Sequence, residues 1–166
     1  MGIPLLNKIE EFTPDDIIVL ELDSLQLISL KTSPDISVIT NILTHNEEFI
    51  ASQKNMYKYQ NPNSELILNY DDVNLRKFEK EAVCKVSFFS TMNKLNNGVI
   101  LDNGIIKICD NGLRRHILHT EKMSLREEHF YDNVCAAICA TRSLVDSDIQ
   151  IKAVENFKGV NYTIIK

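Results

Sequence analysis

The sequence predicts an α+β fold: a mainly antiparallel sheet, built from hairpins and a three-stranded meander, with three main helices packed on it. Two Asn-Gly pairs, Asn103-Gly104 and Asn111-Gly112, separate β-rich runs, and Asn-Gly favours type I′ hairpin turns because both residues need positive φ. Apolar residues at helical spacing mark three longer segments. The chain has 166 residues, 44% hydrophobic, which fits a single α+β domain spanning residues 1–166.

The start of the chain predicts a short helix followed by a hairpin. Residues 3–12 place their apolar side chains on one helical face. Residues 17–22 and 25–30 are aliphatic, β-rich runs separated by Asp23-Ser24. Two such runs around a two-residue connection are typical of a β-hairpin, so these residues are expected to pair.

A second helix is predicted after Ser33-Pro34-Asp35, which offers an N-cap, a proline for the first turn and an acid beside it. Apolar spacing extends this helix to about Ser52. Residues 53–64 are polar and predict a loop, and residues 65–70 predict a strand.

The middle of the chain predicts a long helix and then the meander. Asp71-Asp72 opens the helix, which is expected to run to about Leu95. The meander strands are residues 99–102, 105–110 and 113–120. Their turns set a register in which Val99 faces Ile108, Leu101 faces Ile106, and Ile106 faces Ile117.

The opposite face of the meander mixes apolar and basic residues. The same register brings Ile100, Lys107 and His116 into one row and puts Arg114 beside Cys109.

The end of the chain predicts one more helix and two strands. Ser124-Leu125-Arg126-Glu127 has the pattern of a capping box, and apolar spacing continues that helix to about Val145. Residues 149–154 and 160–165 predict closing strands.

Charge and cysteine content predict a soluble, intracellular protein of the cytoplasm or nucleus. The formal net charge is −5, which disfavours nucleic acid as a partner because phosphate binding needs a basic field. The cysteines are too sparse for a secreted disulfide framework, so they are expected to be reduced and buried: Cys84, Cys109, Cys135 and Cys139. No signal peptide or membrane-spanning segment is evident, so no membrane partner is predicted.

No catalytic, cofactor-binding or metal-binding residue is predicted. The chain lacks the nucleophile-elbow motif GxSxG and the phosphate-binding motifs GxGxxG and GxxxxGK[ST]. His116 and His119 lie three apart on a predicted strand, so they point to opposite sides of the sheet and cannot share a metal. Cys135 and Cys139 share a helical face, but their apolar surroundings favour core packing.

The sequence favours a non-enzymatic protein–protein interaction module, such as a subunit, adaptor or inhibitor of a larger complex, with another protein or a second copy of the chain as its partner. A face that mixes apolar and basic side chains is typical of a partner surface. Its candidate residues are Ile100, Ile105, Lys107, Arg114, His116 and Leu118.

Two alternatives remain open. The first is a small metal-dependent hydrolase or nuclease that uses aspartates at element boundaries together with His116 or His119. The second is a nucleic-acid-associated subunit with a local basic patch, formed by Lys107, Arg114, Arg115 and Lys122.

Overall fold

A computed structural model describes residues 9–43 and 46–159 of the chain. Its central feature is a six-stranded sheet in which the strands lie in chain order, β1 to β6. The pairs from β1 to β4 are parallel, and β5 and β6 add two antiparallel pairs. The strands are β1 Ile36–Ile39, β2 Glu65–Asn69, β3 Lys85–Ser90, β4 Gly98–Asp102, β5 Ile105–Asp110 and β6 Leu113–His119.

Five α-helices accompany this sheet within the described residues: α1 Ser24–Ile28, α2 Glu47–Gln53, α3 Val73–Arg76, α4 His129–Thr141 and α5 Ser147–Asn156. Short 3-10 segments follow α2, α3 and β6. None of the helices in residues 9–43 and 46–159 is long and apolar enough to cross a membrane.

The prediction of a mainly antiparallel sheet is wrong, because two parallel strands lie where helices were expected. β1 occupies part of the helix predicted to end at Ser52, and β3 occupies part of the one predicted to end at Leu95. Parallel strands are buried on both faces, so their sequences lack the alternation that distinguishes a strand from a buried helical turn. β2 shows this burial most clearly, since all five of its residues are buried.

The predicted first hairpin is also wrong. Asp23 is the N-cap of α1, where its Oδ1 accepts from the Gln26 amide at 2.9 Å. The Gln26 side chain accepts from the Asp23 amide at 2.9 Å, which completes a capping box. These reciprocal hydrogen bonds satisfy two backbone donors at the helix start, so residues 24–28 become helical despite their β-rich composition.

Residues 17–20 form no helix or strand. Ile17, Ile18, Val19 and Leu20 have exposed fractions of 65%, 48%, 87% and 59%. Four consecutive exposed apolar residues are unusual on a protein surface and mark a segment suited to being covered. β1 is the outermost strand on one side of the sheet, pairing only with β2 among the described strands.

The remaining predictions have mixed outcomes. The strand at residues 65–70 and all three meander strands are confirmed. The predicted helix at 124–145 begins later, at His129, and residues 149–154 lie in α5 instead of a strand. In α5, Ile151 and Val154 pack against the main core at helical spacing. Residues 3–8 of the first predicted helix and residues 160–165 lie outside the described residues.

The meander follows the predicted register with one shift. Val99 pairs with Ile108, and Leu101 pairs with Ile106, as the two turns predicted. Ile106, however, pairs with Leu118 instead of Ile117, because the ladder is irregular between Ile106 and Lys107. Both Asn-Gly turns have positive φ at each residue, which is the geometry of a type I′ turn.

The core lies on both faces of the sheet. On one face, α4 inserts Cys135 and Ile138 against Ile67, Phe89 and their neighbours. On the other face, the α3 region and the segment after α2 cover another cluster, made of Ile39, Tyr57, Leu66, Leu68, Leu75, Phe78 and Cys84. Each fully buried aliphatic side chain stabilises the fold by about 2 kcal/mol relative to its exposed state.

Gly98 allows β3 and β4 to approach each other. These strands pair at only two positions, Phe89–Val99 and Ser90–Ile100. Gly98 has φ +123°, and a Cβ added there would lie 2.1 Å from the Phe88 carbonyl oxygen. Both the backbone angle and the contact therefore exclude a larger residue.

We expect Gly98→Ala to destabilise the protein by about 2–4 kcal/mol, because it combines a disfavoured backbone angle with a backbone clash. Urea unfolding measures the change. Gly112→Ala is the matched control: Gly112 also has positive φ, +83°, but nothing lies within 4 Å of its added Cβ. This control should cost about 1 kcal/mol, and equal losses in the two variants would contradict the proposed clash.

Candidate functional site

The carboxyl ends of the parallel strands form one edge of the sheet. β1, β2, β3 and β4 end at Ile39, Asn69, Ser90 and Asp102. In open sheets with parallel strands, ligands bind outside the carboxyl ends, because loops from neighbouring strands converge there. Asn69 and Ser90 end two of these strands, and polar residues follow within three positions: Asp71, Asp72, Thr91 and Asn93. This edge is therefore the candidate functional site.

Asp71 organises the loop after β3. Its Oδ1 accepts from Ser90 Oγ at 2.6 Å and from Asn93 Nδ2 at 2.7 Å. Its Oδ2 accepts from the backbone amides of Thr91 and Met92 at 2.9 and 3.2 Å. Hydrogen bonds to a charged acceptor are stronger than neutral ones, so a single carboxylate holds residues 90–93 in place.

Asp72 has a separate role at the same edge. Its Oδ1 accepts from the amides of Asn74 and Leu75, which caps α3. Its Oδ2 accepts from the Ile42 amide at 2.9 Å. Asp72 therefore joins the segment after β1 to the helix after β2.

α4 brings a third acidic residue to this edge. Thr91 Oγ1 donates to Asp132 Oδ1 at 2.7 Å. Asp132 Oδ2 makes no hydrogen bond or ion pair with any other part of the chain that the structure describes. His129 lies one turn earlier on α4, exposed, with its Nε2 3.5 Å from Glu127 Oε2. Asp132 and His129 are thus the polar groups at this edge best placed to meet a ligand.

The cysteines of α4 do not extend this site. Burial raises the pKa of the Cys135 thiol well above its ordinary range, and the nearby Asp132 carboxylate raises it further. Burial also raises the pKa of the Cys139 thiol to about 11. Both thiols stay protonated at neutral pH and are therefore poor nucleophiles and metal ligands.

The other side chains that commonly bind metals also form no metal site among the described residues. Across residues 9–43 and 46–159, no three or more histidine, cysteine, aspartate or glutamate side chains are grouped so that they could hold a metal ion. All four cysteines are buried, as the sequence predicted.

The predicted partner-surface residues separate into buried and exposed groups. Ile100, Lys107 and Leu118 are buried, with exposed fractions of 0%, 8% and 3%. Leu118 packs with Ile106 against α4, on the other side of the sheet from Lys107, because of the register shift. These three residues therefore offer little surface to a partner.

The other three candidates are more accessible. Arg114 and His116 are exposed, and Ile105 is half-buried. The predicted row of Ile100, Lys107 and His116 is present, and Arg114 pairs with Cys109. Whether a partner binds at the exposed positions stays a prediction, as does binding of nucleic acid.

Lys107 belongs to an ion-pair cluster around Asp102. Lys107 Nζ lies 2.6 Å from Asp102 Oδ2. Arg114 Nη1 lies 3.9 Å from the same oxygen, and Lys94 Nζ lies 3.9 Å from Oδ1. The Lys107 hydrogen bond and the surrounding cations hold the pKa of Asp102 below its usual range, against a smaller opposing effect of burial.

From the sequence, Asp71 was predicted only to open a helix together with Asp72, and Asp102 only to end a strand of the meander. The signal for Asp71 was present: a run of apolar residues, 66–68, is followed at once by the polar residues 69–72. That pattern is typical of the carboxyl end of a parallel strand, once the strand is known to be parallel. Asp132 gave no such signal, because only the tertiary structure brings α4 beside β3.

A cleft of about 730 Å³ lies at the opposite edge, where β3 and β4 diverge. Arg142 lines it, but this side chain is occupied: its Nη2 lies 2.6 Å from both Glu65 Oε1 and Ser87 Oγ. Glu65 also receives a hydrogen bond from Ser87. This buried, mutually satisfied cluster anchors the end of α4 to the sheet, so we assign the cleft a structural role.

Removal of the Asp71 carboxylate should loosen the loop after β3. We expect Asp71→Ala to raise amide hydrogen exchange at Thr91 and Met92 by about tenfold or more, because each amide loses a charged acceptor. Exchange measured by NMR tests this. The control Asp72→Ala should instead accelerate exchange at Asn74 and Leu75, and unchanged exchange at Thr91 in Asp71→Ala would contradict the assigned role.

Lys107 should control the titration of Asp102. A carboxyl group whose pKa is lowered by folding stabilises the protein above its unfolded pKa, and that stabilisation is lost as pH falls through the folded pKa. We expect Lys107→Met to raise the pKa of Asp102, as measured by NMR titration of its carboxyl carbon. The exposed Lys122→Met is the control, and an equal shift in both variants would exclude a specific pair.

The chain is similar in sequence to ligases named UDP-N-acetylmuramoylalanine–D-glutamate ligase. The UDP-N-acetylmuramoylalanine–D-glutamate ligase of Ruminiclostridium cellulolyticum is 33% identical over 171 aligned positions, covering 99% of this chain and 37% of the ligase. The ligase of the same name from Clostridium botulinum strain Langeland is 35% identical, covering 98% of this chain and 36% of the ligase. The chain thus spans little more than a third of the length of these curated relatives. No family model matches the chain.

Solved structures show the same fold. A UDP-N-acetylmuramoylalanyl-D-glutamyl-2,6-diaminopimelate–D-alanyl-D-alanyl ligase from Acinetobacter baumannii matches with a TM-score of 0.60 and 16% identity, covering 77% of this chain and 30% of the ligase. A UDP-N-acetylmuramate:L-alanyl-γ-D-glutamyl-meso-diaminopimelate ligase from Neisseria meningitides matches with a TM-score of 0.61 and 16% identity. The match covers 82% of this chain and 44% of that ligase. The mixed six-stranded sheet with its helices is therefore similar to domains of these ligases.

These comparisons overturn the functional prediction from sequence. The non-enzymatic interaction module is wrong, because the relatives that match almost the whole chain are ligases, which are enzymes. The inclination against an enzyme is wrong for the same reason. The relatives are also neither hydrolases nor nucleases, so the first alternative has no support from them.

Proposed function

We propose that this chain forms part of a ligase that joins UDP-N-acetylmuramoylalanine to D-glutamate. The observation that carries the proposal is 33–35% identity to ligases of that name over 98–99% of the chain. Identity sustained over the whole described sheet, its helices and its loops supports shared chemistry better than a match confined to one motif. By its name, the reaction forms an amide between the alanine carboxyl group and the amine of glutamate.

The geometry at the carboxyl edge supports a substrate-positioning role. Asp71 uses both carboxylate oxygens to hold residues 90–93, so it is occupied and suited to organising a loop. Asp132 and His129 are presented by α4 directly beside that loop. A loop held in advance lowers the entropic cost of orienting two substrates, which is a major source of catalysis in bimolecular reactions.

The open side of the sheet supports the proposal that further protein completes the enzyme. β1 has an unpaired outer side among the described strands, and the nearby sequence includes four exposed apolar residues at 17–20. An exposed strand edge and an apolar run are both normally covered in a stable protein. In the proposed enzyme, the share of the ligase that this chain does not span would cover them.

The chain itself lacks the phosphate-binding motifs GxGxxG and GxxxxGK[ST]. Amide formation from a free carboxylate is unfavourable in water and needs an energy source such as a nucleoside triphosphate. In the proposed enzyme, no loop of that type from this chain would hold those phosphates.

The proposed function also bears on location. The relatives come from bacteria, which have no nucleus, so the nuclear alternative loses its support. We propose an intracellular location in a bacterial cell.

A chimaeric enzyme tests the proposed function. The matched segment of the Ruminiclostridium cellulolyticum ligase is replaced by this chain, and the chimaera is incubated with UDP-N-acetylmuramoylalanine, D-glutamate, ATP and Mg²⁺. We expect a product whose mass equals the two substrates minus one water, detected by mass spectrometry. The thermal unfolding transition of the chimaera shows whether it is folded.

Two variants of the chimaera sharpen the test. Asp71→Ala should lower kcat/KM by at least about tenfold, equivalent to about 1.4 kcal/mol, because residues 90–93 are no longer held. Asp110→Ala changes an exposed acid at the opposite edge and should leave kcat/KM within about twofold. A folded chimaera that forms no product would argue against the proposed function.

A further inference from the structure

The Asp102 cluster carries more positive charge than its own acid can balance. Lys107, Arg114 and Lys94 all approach Asp102, at 2.6, 3.9 and 3.9 Å. Three cations and one carboxylate leave a local charge of +2. The chain as a whole has a net charge of −5, so this surplus is a local feature of the β4–β5–β6 face.

The cluster has an inner pair and two outer cations. The side chains of Asp102 and Lys107 are only 12% and 10% exposed, and they make a direct hydrogen bond. Arg114 and Lys94 are 37% and 70% exposed, and their distances to Asp102 are longer than a hydrogen bond. The strongest interaction of Asp102 is therefore with Lys107. Most N–H donors of Arg114 and Lys94 stay available to a ligand.

Among the described residues, neither outer cation has another acid to pair with. Within residues 9–43 and 46–159, Asp102 is the one carboxylate within ion-pair distance of Lys94 or Arg114. His116 lies directly across the ladder from Lys107 and is exposed. It adds a neutral or cationic donor to the same face and brings no negative charge.

We propose that Lys94 and Arg114, supported by the Asp102–Lys107 pair, bind a phosphate group of a ligand. The charge decides the class: a phosphate carrying about two negative charges neutralises a +2 cluster, whereas a carboxylate leaves one charge uncompensated. Arginine adds a planar fork of N–H donors that matches phosphate oxygens, and lysine adds a mobile point charge.

The buried pair gives the proposed site its shape. Lys107 holds Asp102 at the end of β4. The Asp102 carboxylate attracts Arg114 from β6 and Lys94 from the loop before β4, so that both cations lie near it. That loop is the one whose beginning Asp71 holds in place. Lys94 directly follows the residues that Asp71 holds, and the phosphate site does not depend on the proposed ligase reaction.

Binding of inorganic pyrophosphate tests the proposal. Amide chemical shifts are followed by NMR while pyrophosphate is added at low ionic strength. We expect saturable shifts at Lys94, Arg114 and their neighbours, with affinity falling steeply at about 0.5 M NaCl because exposed charges are screened. An absence of saturable shifts on this face would overturn the proposal.

Charge-removing variants make the test specific. Lys94→Gln and Arg114→Gln should each weaken pyrophosphate binding by about fivefold or more, since each removes one of two outer cations. Both leave the buried Asp102–Lys107 pair intact, so the melting temperature should stay within about 2 °C of the parent. Lys152→Gln on α5 is the control, because it removes the same charge from an exposed position on another element and should leave affinity unchanged. Equal weakening in all three variants would overturn the proposal.

Two further ligands identify the chemistry and its source. Acetate at the same concentration should not displace pyrophosphate, and efficient displacement would overturn the assignment to phosphate. The affinity for UDP is then compared with that for pyrophosphate. Tighter binding of UDP supports the proposal and indicates that the phosphate belongs to a nucleotide. Equal affinity supports the proposal and indicates that the site recognises the phosphate group alone. Because these are binding measurements, their failure is distinct from failure of the ligase assay.

Discussion

Burial of β2 on both faces is the constraint on which the rest of the structure depends. Leu66 and Leu68 point to one side and Ile67 to the other, and all three have no exposed surface. Such a strand must be paired along both edges and covered above and below. The α3 region covers one side and α4 the other, so the positions of these helices follow from β2.

The last parallel pair of the sheet, β3 with β4, has a short connection. β3 and β4 are parallel neighbours joined by residues 91–97 alone, whereas parallel strands usually need a crossover of a dozen or more residues. The strands compensate by pairing at two positions only, with Gly98 allowing close approach to Phe88. Asp71 holds the beginning of the connection, and Leu95 is buried near its end against Ile100. The meander then continues the sheet by local hairpins.

This connection also explains why polar groups concentrate at one edge. A tight crossover exposes backbone amides that a helix would have satisfied internally, and Asp71 satisfies two of them. The same loop carries Lys94 to Asp102. Residues 90–93, which Asp71 holds, and Lys94, which approaches Asp102, are therefore neighbours in one short loop.

Local chemistry in the sequence was sufficient to predict the three meander strands, since each Asn-Gly turn specifies its own hairpin. The register of the first hairpin followed from its turn, whereas that of the second shifts between Ile106 and Lys107. The sequence also determined the strand at β2, the burial of the cysteines and the absence of a phosphate-binding glycine motif. The row of Ile100, Lys107 and His116 was predictable for the same reason. The turns and the row depend on contacts between residues close in the chain, whereas β2 and the buried cysteines were predictable from apolar composition alone.

The tertiary structure decided the parallel strands, the role of Asp71 and the meeting of Asp132 with Thr91. β1 and β3 are short apolar runs whose spacing also fits a helix, and only pairing with β2 distinguishes the two. Asp23 had a sequence signal, a capping box with Gln26, but the aliphatic composition around it indicated a hairpin. Whether Lys107 faces solvent or an acid was likewise undecided until Asp102 was placed beside it. The same physical reason applies to each of these features. The free energy that selects the conformation comes from residues distant in sequence, and a local sequence pattern carries no information about them.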